Sequence, residues 1–211
     1  MAVRRIQVTQ ETRAGAVAEA ARVLRGGGVA FLPAEGVYGL HVRADLPAAM
    51  ARLDALKPRG AGRGRIALVA SPADLDHWVR DPEPAARALA AAHWPGALTL
   101  VLPAAAEAPA ALLGPDSTVA LRCPGNPLLR DIVARAGGPV ISTSANDPGD
   151  PPARTARHPL ADRADLVLDE GELSGIASTV VSVRGGRVMV LREGAIRIPT
   201  ASSPGAGGTA S

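Results

Sequence analysis

The sequence predicts a single α/β domain built on a mixed sheet, and three observations predict it. Apolar runs of four to six residues ("VAFL", "ALTLVL", "TVALR" and "STVVSV" among them) alternate along the chain with amphipathic stretches of helical period. The last two runs, "STVVSV" and "RVMVLR", are joined by Arg184-Gly185-Gly186, a hairpin turn that makes this pair antiparallel. No internal repeat and no linker divides the 211 residues, a length suited to one domain with a real core.

The elements follow in order. Thr12 to Arg25 reads as an amphipathic helix carrying Ala16, Val17, Ala20, Ala21, Val23 and Leu24, stopped by Gly26, Gly27 and Gly28. Residues 29–32, "VAFL", form a buried strand; "PAEG" is a turn, and "VYGLHV" continues as extended chain. Leu46 to Leu56 is a second helix, with Leu46, Met50, Leu53 and Leu56 as its apolar side, and the glycine- and arginine-rich stretch from Lys57 leads into the strand "RIALVA". Pro72–Trp78 and Pro84–Ala92 are short helices, and residues 97–102 and 118–122 are strands. Asn126 is placed to cap the next helix, with Pro127 at its first position and Gly137 at its end. "GPVISTSAND" is a buried strand running into a polar turn, and residues 165–169, 178–183 and 187–192 supply three more strands. The stretch 200–211, "TASSPGAGGTAS", is of low complexity and expected to be disordered, which leaves 1–199 as the folded domain.

Composition narrows the function classes. The net charge of +3 permits anionic ligands without demanding them, and a hydrophobic content of 47% with four aromatics implies a core of Val, Leu, Ile and Ala. A single cysteine, Cys123, excludes an internal disulfide and any multi-cysteine metal site. "MAVRRIQVTQ" has no apolar core of a signal peptide, and no apolar run reaches about 18 residues, so a soluble, cytoplasmic protein with no membrane partner is expected. There is no GxxxxGK[ST], no GxGxxG between strand and helix, and no GxSxG. No pair of His, Asp or Glu shows metal-ligand spacing, so no protein-held metal is expected, and His41, His77, His93 and His158 are scattered and read as surface or packing residues.

Lys57 is the only lysine, against twenty-two arginines. In a chain rich in Ala, Gly and Pro this imbalance points to a coding bias, under which a lysine that need only be positive drifts to arginine. Lys57 then marks a place for a compact, mobile ammonium where a planar fork does not fit; the alternative is chance survival of a surface lysine. Other polar residues also collect at the ends of apolar runs. Glu35 follows "VAFLPA", Lys57 and Arg59 precede "RIALVA", and Thr118 and Arg122 bound "TVALR". Ser142, Thr143, Ser144 and Asn146 follow "PVI", Ser178 and Thr179 open "STVVSV", and Arg192 ends "VMVL". Strand ends are where α/β sheets bind ligands, and basic groups beside hydroxyls and an amide, with few acids, suit a phosphate-bearing one.

These residues fall into a known pattern. Lys57-Pro58-Arg59, "WPGALTLVL", "TVALRCPGNPL", Ser144-Ala145-Asn146 within "STSAN", "STVVSV" and "LREGAI" stand in the order and at the spacing of one family. From about Val29 to Ile198 the chain resembles the YrdC-like threonylcarbamoyl-AMP synthases, in their short form without an extra C-terminal domain. The resemblance implies a twisted mixed sheet flanked by helices, with a large basic cavity. It also implies a reaction in which ATP, L-threonine and bicarbonate give threonylcarbamoyl-AMP and pyrophosphate, with Mg²⁺ on the phosphates, for threonylcarbamoyladenosine formation in tRNA. Lys57 and Arg59 would act on the triphosphate, with Thr118, Ser144, Asn146 and Arg192 completing the ATP site. Arg122, Ser142 and Ser178 would hold threonine. The implied partners are tRNA or double-stranded RNA and the downstream machinery that transfers the threonylcarbamoyl group.

The pattern is departed from in two places. The family's Pro-Thr-(Asp/Glu)-x-Val-Tyr-Gly-Leu stands here as "PAEGVYGL": Ala34 removes a hydroxyl expected on the cavity wall, and Gly36 adds backbone freedom. The proline after Arg59 and a second one four residues on are Gly60 and Gly64, which implies a more mobile loop. Two alternatives therefore stay open. One is a paralogue that uses another amino acid or a carbamoyl group in specialised metabolism; the other is a non-catalytic RNA-binding module, against which the scarcity of aromatics for base stacking speaks.

Overall fold

A computed structural model describes residues 3–57, 65–146 and 150–199. The alternation of apolar and polar residues along the strands decides how it is layered. Among the described residues, ten strands form one sheet: β1 (Arg4–Gln7), β2 (Ala30–Pro33), β3 (Tyr38–Arg43), β4 (Ile66–Leu68), β5 (Leu98–Pro103), β6 (Thr118–Arg122), β7 (Val140–Ser144), β8 (Leu166–Asp169), β9 (Thr179–Arg184) and β10 (Arg187–Arg192). Their order across the sheet is β1-β8-β2-β3-β7-β4-β6-β5-β9-β10. Parallel pairs (β1–β8, β8–β2, β4–β6, β5–β9) mix with antiparallel ones (β2–β3, β3–β7, β7–β4, β6–β5, β9–β10). The expected hairpin joins β9 to β10, with Gly185 at φ 59° and Gly186 at φ 72°, backbone that favours glycine at both positions.

Side chains one residue apart on a strand face opposite sides, so register assigns each to a layer. One face is apolar along its length. Phe31, Leu40, Val42, Ala67, Leu98, Leu100, Leu102, Val119, Leu121, Ile141, Val167 and Val181 belong to a single buried cluster with Met50 and Leu53 of α2 (Pro47–Leu56), Leu75 of α3 (Leu75–Trp78) and Ala86 and Ala90 of α4 (Pro84–His93). The opposite face is divided. Its first half, carried by Ala30, Leu32, Leu68, Val140, Leu166 and Leu168, is covered by α1 (Arg13–Arg25) and α5 (Pro127–Arg135) through Ala16, Val17, Ala20, Leu24, Leu128, Leu129 and Ile132. Its second half, on β4, β6, β5, β9 and β10, floors a cavity of about 1550 Å³ that, among the described residues, α1 and α5 do not cover and Leu89 of α4 borders. Ile66 is the seam: it packs against the covered cluster and also lines the cavity.

Most expected elements are present with ends moved by a residue or two. The capping of α5 is as read, with Asn126 Oδ1 accepting from the amides of Leu128 (2.8 Å) and Leu129 (3.3 Å). The expected helix at 72–78 divides into a 3-10 turn, Pro72–Asp74, and a single α-turn, Leu75–Trp78. β1 was not foreseen from "RRIQ", because an edge strand needs only one inward apolar residue, here Ile6, to dock in parallel on β8. The expected disorder of 200–211 lies outside the described residues. No helix among the described residues is long and apolar enough to cross a membrane.

Candidate functional site

Three groups of polar side chains surround the uncovered half-face. The first stands where α2 ends beside the end of β7. Lys57, the C-cap of α2, donates from Nζ to the backbone oxygen of Ser144 (2.5 Å) and to Asn146 Oδ1 (2.8 Å). The same amide oxygen accepts from Ser144 Oγ (2.7 Å), and Asn146 Nδ2 donates to the Asp150 backbone oxygen (3.0 Å). A lysine from one segment and the serine–asparagine turn from another, some ninety residues on, are thus one hydrogen-bonded unit. Arg59, expected beside Lys57, lies outside the described residues, as do Pro58, Gly60 and Gly64. Lys57, Ser144 and Asn146 are not among the residues that line the cavity itself. They adjoin it through β7, where Ser142 faces the cavity-lining Ile66 across the strand pair.

The second group is buried. Arg122 is only 5% exposed, and its Nη1 lies 3.3 Å from Glu35 Oε2, within ion-pair range but out of hydrogen-bond alignment. Glu35 Oε1 accepts instead from the Gly125 amide at 2.5 Å. Glu35 Oε2, Arg122 Nε and His41 Nε2 are all buried without a hydrogen-bond partner. Burial pushes the Arg122 guanidinium down from its usual value, and the Glu35 charge opposes that shift. His41, fully buried with Nδ1 3.1 Å from the Gly39 backbone oxygen, is pushed down to about 3, first by burial and then by the Arg122 charge. This imidazole is neutral. Glu35 sits in the turn between β2 and β3, whereas Arg122 ends β6, with β3, β7 and β4 between them in the sheet. Their approach at 3.3 Å therefore joins two segments that are not neighbours in the sheet.

The third group lies on the cavity floor. Thr99, fully buried in β5, shares a 2.9 Å hydrogen bond with Ser178 Oγ. Arg192, exposed on its outer side, donates from Nη2 to the Ser178 backbone oxygen (2.7 Å) and to Ser178 Oγ (3.1 Å), and from Nε to the same backbone oxygen (3.2 Å). Partial burial pushes the Arg192 guanidinium down, and the nearby Arg122 charge pushes it further. Two guanidiniums near each other, with Glu35 beside Arg122 alone, leave a local excess of positive charge suited to one further anionic group. Thr118 lines the cavity, but its hydroxyl is already donated to the Pro115 backbone oxygen (2.7 Å). Arg184, Arg187 and Asp116 stand at the rim.

The site therefore unites Lys57, Ser144 and Asn146 directly, and Arg122, Ser178 and Arg192 as neighbours, with Ser142 and Thr118 on the same face. The two substitutions of the first departure have structural accounts, whereas Gly60 and Gly64 lie outside the described residues. Ala34 is buried in the helix-covered cluster with Leu32 and Leu128 and is not among the residues lining the cavity. Gly36 is required by close approach: a Cβ there would stand 2.0 Å from the Ile176 backbone oxygen, and the Gly36 oxygen accepts from the Gly175 amide at 2.7 Å. Thr99 was missed, although one hydroxyl at an alternate position inside "ALTLVL" was a readable signal. Glu35 was noticed at a strand end without a role, since its partner is far away in sequence.

Among the described residues, no group of three His, Cys, Asp or Glu is arranged to hold a metal ion. The Sua5/YciO/YrdC family model, described as "Telomere recombination", matches residues 22–194. The threonylcarbamoyl-AMP synthase of Chromohalobacter salexigens is 37% identical over 183 residues, which are 85% of this chain and 98% of that protein. Its counterpart in Stenotrophomonas maltophilia is 40% identical over 164 residues, covering 75% and 87%. Among solved structures, Sua5 of P. abyssi complexed with L-threonine matches 92% of this chain with a TM-score of 0.81 at 30% identity; the chain spans 58% of that longer protein. A divided sheet face, an ammonium held by a serine–asparagine turn and nearly end-to-end likeness to these proteins lead to one statement: the chain belongs to the Sua5/YciO/YrdC family.

Proposed function

We propose that this protein is an L-threonylcarbamoyladenylate synthase, converting ATP, L-threonine and bicarbonate to threonylcarbamoyl-AMP and pyrophosphate. The observation that carries the reading is the joining of Lys57 to Ser144 and Asn146 beside a cavity lined by Arg192, with the buried Arg122 close enough for its charge to act on Arg192. Relatives that bear this name over nearly their whole length, and a Sua5 structure containing L-threonine, support it. The domain that carries the activity spans 1–199.

The chemistry asks little of the protein beyond placement and charge. The threonine amine adds to CO₂ derived from bicarbonate and loses a proton, giving a carbamate. A carbamate oxygen then attacks the α-phosphorus, a new P–O bond forms, and the bond to the β-phosphate breaks with release of pyrophosphate. Lys57, with Arg59, neutralises the triphosphate, and Thr118, Ser144 and Asn146 position it. Arg122 takes the threonine carboxylate, with Ser142 and Ser178 donating to the amino acid. Arg192, placed beside Ser178, covers the nucleotide where it adjoins the amino acid. Holding the two substrates in line supplies most of the acceleration. Mg²⁺ enters on the phosphates as MgATP. The product feeds transfer of the threonylcarbamoyl group to tRNA in the cytoplasm.

Pyrophosphate release measured against a panel of amino acids tests this. Release should require ATP, bicarbonate and threonine together, and Lys57→Ala should slow it about 100-fold or more. Release that proceeds without bicarbonate, or only with a different amino acid, would remove the assignment.

A further inference from the structure

Glu35 is an acid in an otherwise cationic and hydroxyl-bearing site. One carboxylate oxygen accepts from the Gly125 amide at 2.5 Å, and the other stands 3.3 Å from Arg122 Nη1. Arg122 has no other ion-pair partner among the described residues, and its Nε has no hydrogen-bond partner. The groups Glu35 joins are consecutive in function. Arg122 ends β6, and Gly125 precedes Asn126, the residue that caps α5. That loop is held from its other side as well. Arg130 Nη1 donates to the backbone oxygens of Pro124 (2.9 Å) and Gly125 (2.7 Å), and a Cβ at Gly125 would stand 3.3 Å from Gly96 Cα. Glu35 itself rides on a turn pinned by Gly36 against Gly175, so its backbone has little freedom to follow the loop.

A buried guanidinium with one loosely aligned counter-ion has several orientations of similar energy unless something selects among them. The carboxylate does so through charge, and the Gly125 bond fixes the carboxylate in turn. We infer that Glu35 is a positioning residue: it holds the Arg122 guanidinium and the 123–126 loop together, so that Arg122 meets an incoming carboxylate with its orientation already set. The inference rests on the reading of Arg122 as the amino-acid anchor. Glu35 is not a catalytic residue here, because its partnerless oxygen is buried beside Arg122 and Glu35 is not among the residues that line the cavity.

Two kinds of measurement test it on the full chain. In steady-state kinetics, Glu35→Gln keeps the size and loses the charge. It should raise KM for threonine roughly tenfold, leave KM for ATP within about twofold, and lose its effect when made in an Arg122→Gln background. Glu35→Asp should recover part of the threonine KM. An unchanged threonine KM, or effects of Glu35→Gln and Arg122→Gln that simply multiply, would overturn the inference, as would an equal rise in both KM values. Independently of any activity, exchange of the Gly125 amide proton followed by NMR should speed up about tenfold or more in Glu35→Ala. Unchanged exchange would also overturn it. A wild-type protein that turns over no ATP while Gly125 responds as expected would fault the proposed reaction and not the role of Glu35 in holding the loop.

Discussion

The two halves of the divided sheet face belong to one sheet, yet one is packed under helices and the other lines an open cavity. On β8, β2, β7 and β4 the inward positions are Leu166, Leu168, Ala30, Leu32, Val140 and Leu68, and two helices close over them. On β5, β6, β9 and β10 the same layer carries Thr99, Thr118, Ser182, Arg184 and Arg192, and the face stays open. A helix placed there would cover the charges of Arg184 and Arg192, and any polar group it left unpaired would cost about 1–3 kcal/mol. The open half costs the fold hydrophobic burial. The continuous apolar layer on the opposite side of the sheet supplies it instead.

That contrast can be broken from either side. The largest effect expected is in the covered half: Leu129→Ala removes a fully buried side chain between α5 and the sheet and should lower unfolding free energy by about 2–5 kcal/mol in urea titration. A loss below about 1 kcal/mol would mean α5 contributes little to the layer.

His41 is fully buried in β3, between β2 and β7, and its prediction is a pH dependence. Above pH 6.5 the imidazole is neutral whether the chain is folded or not. Below it the unfolded chain binds a proton that the folded one refuses until about pH 3, so stability falls as pH falls through that window. The slope reaches about 1.4 kcal/mol per pH unit. His41→Gln should flatten it between pH 7 and pH 5 in parallel urea titrations; identical slopes would show that the imidazole is not held neutral.

The smallest effect belongs to the open half. Thr99→Val keeps the shape and deletes the hydroxyl bonded to Ser178, which retains its bond to Arg192. Stability should change by about 0.5–1.5 kcal/mol. A loss as large as that of Leu129→Ala would mean the cavity floor is core after all.

Local patterns in the sequence told much of this. Short apolar runs marked nine of the ten strands among the described residues, Asn126-Pro127 marked the start of α5, and Gly185-Gly186 marked the hairpin. Chemistry-bearing residues also declared themselves where polar groups interrupted or ended apolar runs, as at Lys57, Ser144 and Asn146. What stayed hidden depends on tertiary approach. Whether an inward position meets a helix or open space follows from which strands α1 and α5 reach, and that is not written into any one strand. Glu35 and Arg122 meet although their strands are not neighbours in the sheet. Gly36 looked like added freedom and instead serves a backbone contact with residues 175 and 176. Ala34 looked like a missing hydroxyl on the cavity wall and instead packs beneath α5.

The most direct test of the central claim, that the open half of this face is where the substrates bind, is a crystal structure with threonine and a non-hydrolysable ATP analogue. The account predicts both ligands over β5, β6 and β9, with phosphates toward Lys57 and Asn146 and the threonine carboxylate at Arg122. Ligands seated elsewhere, for example in the groove formed by Asp76, Arg80 and Glu107, would contradict it.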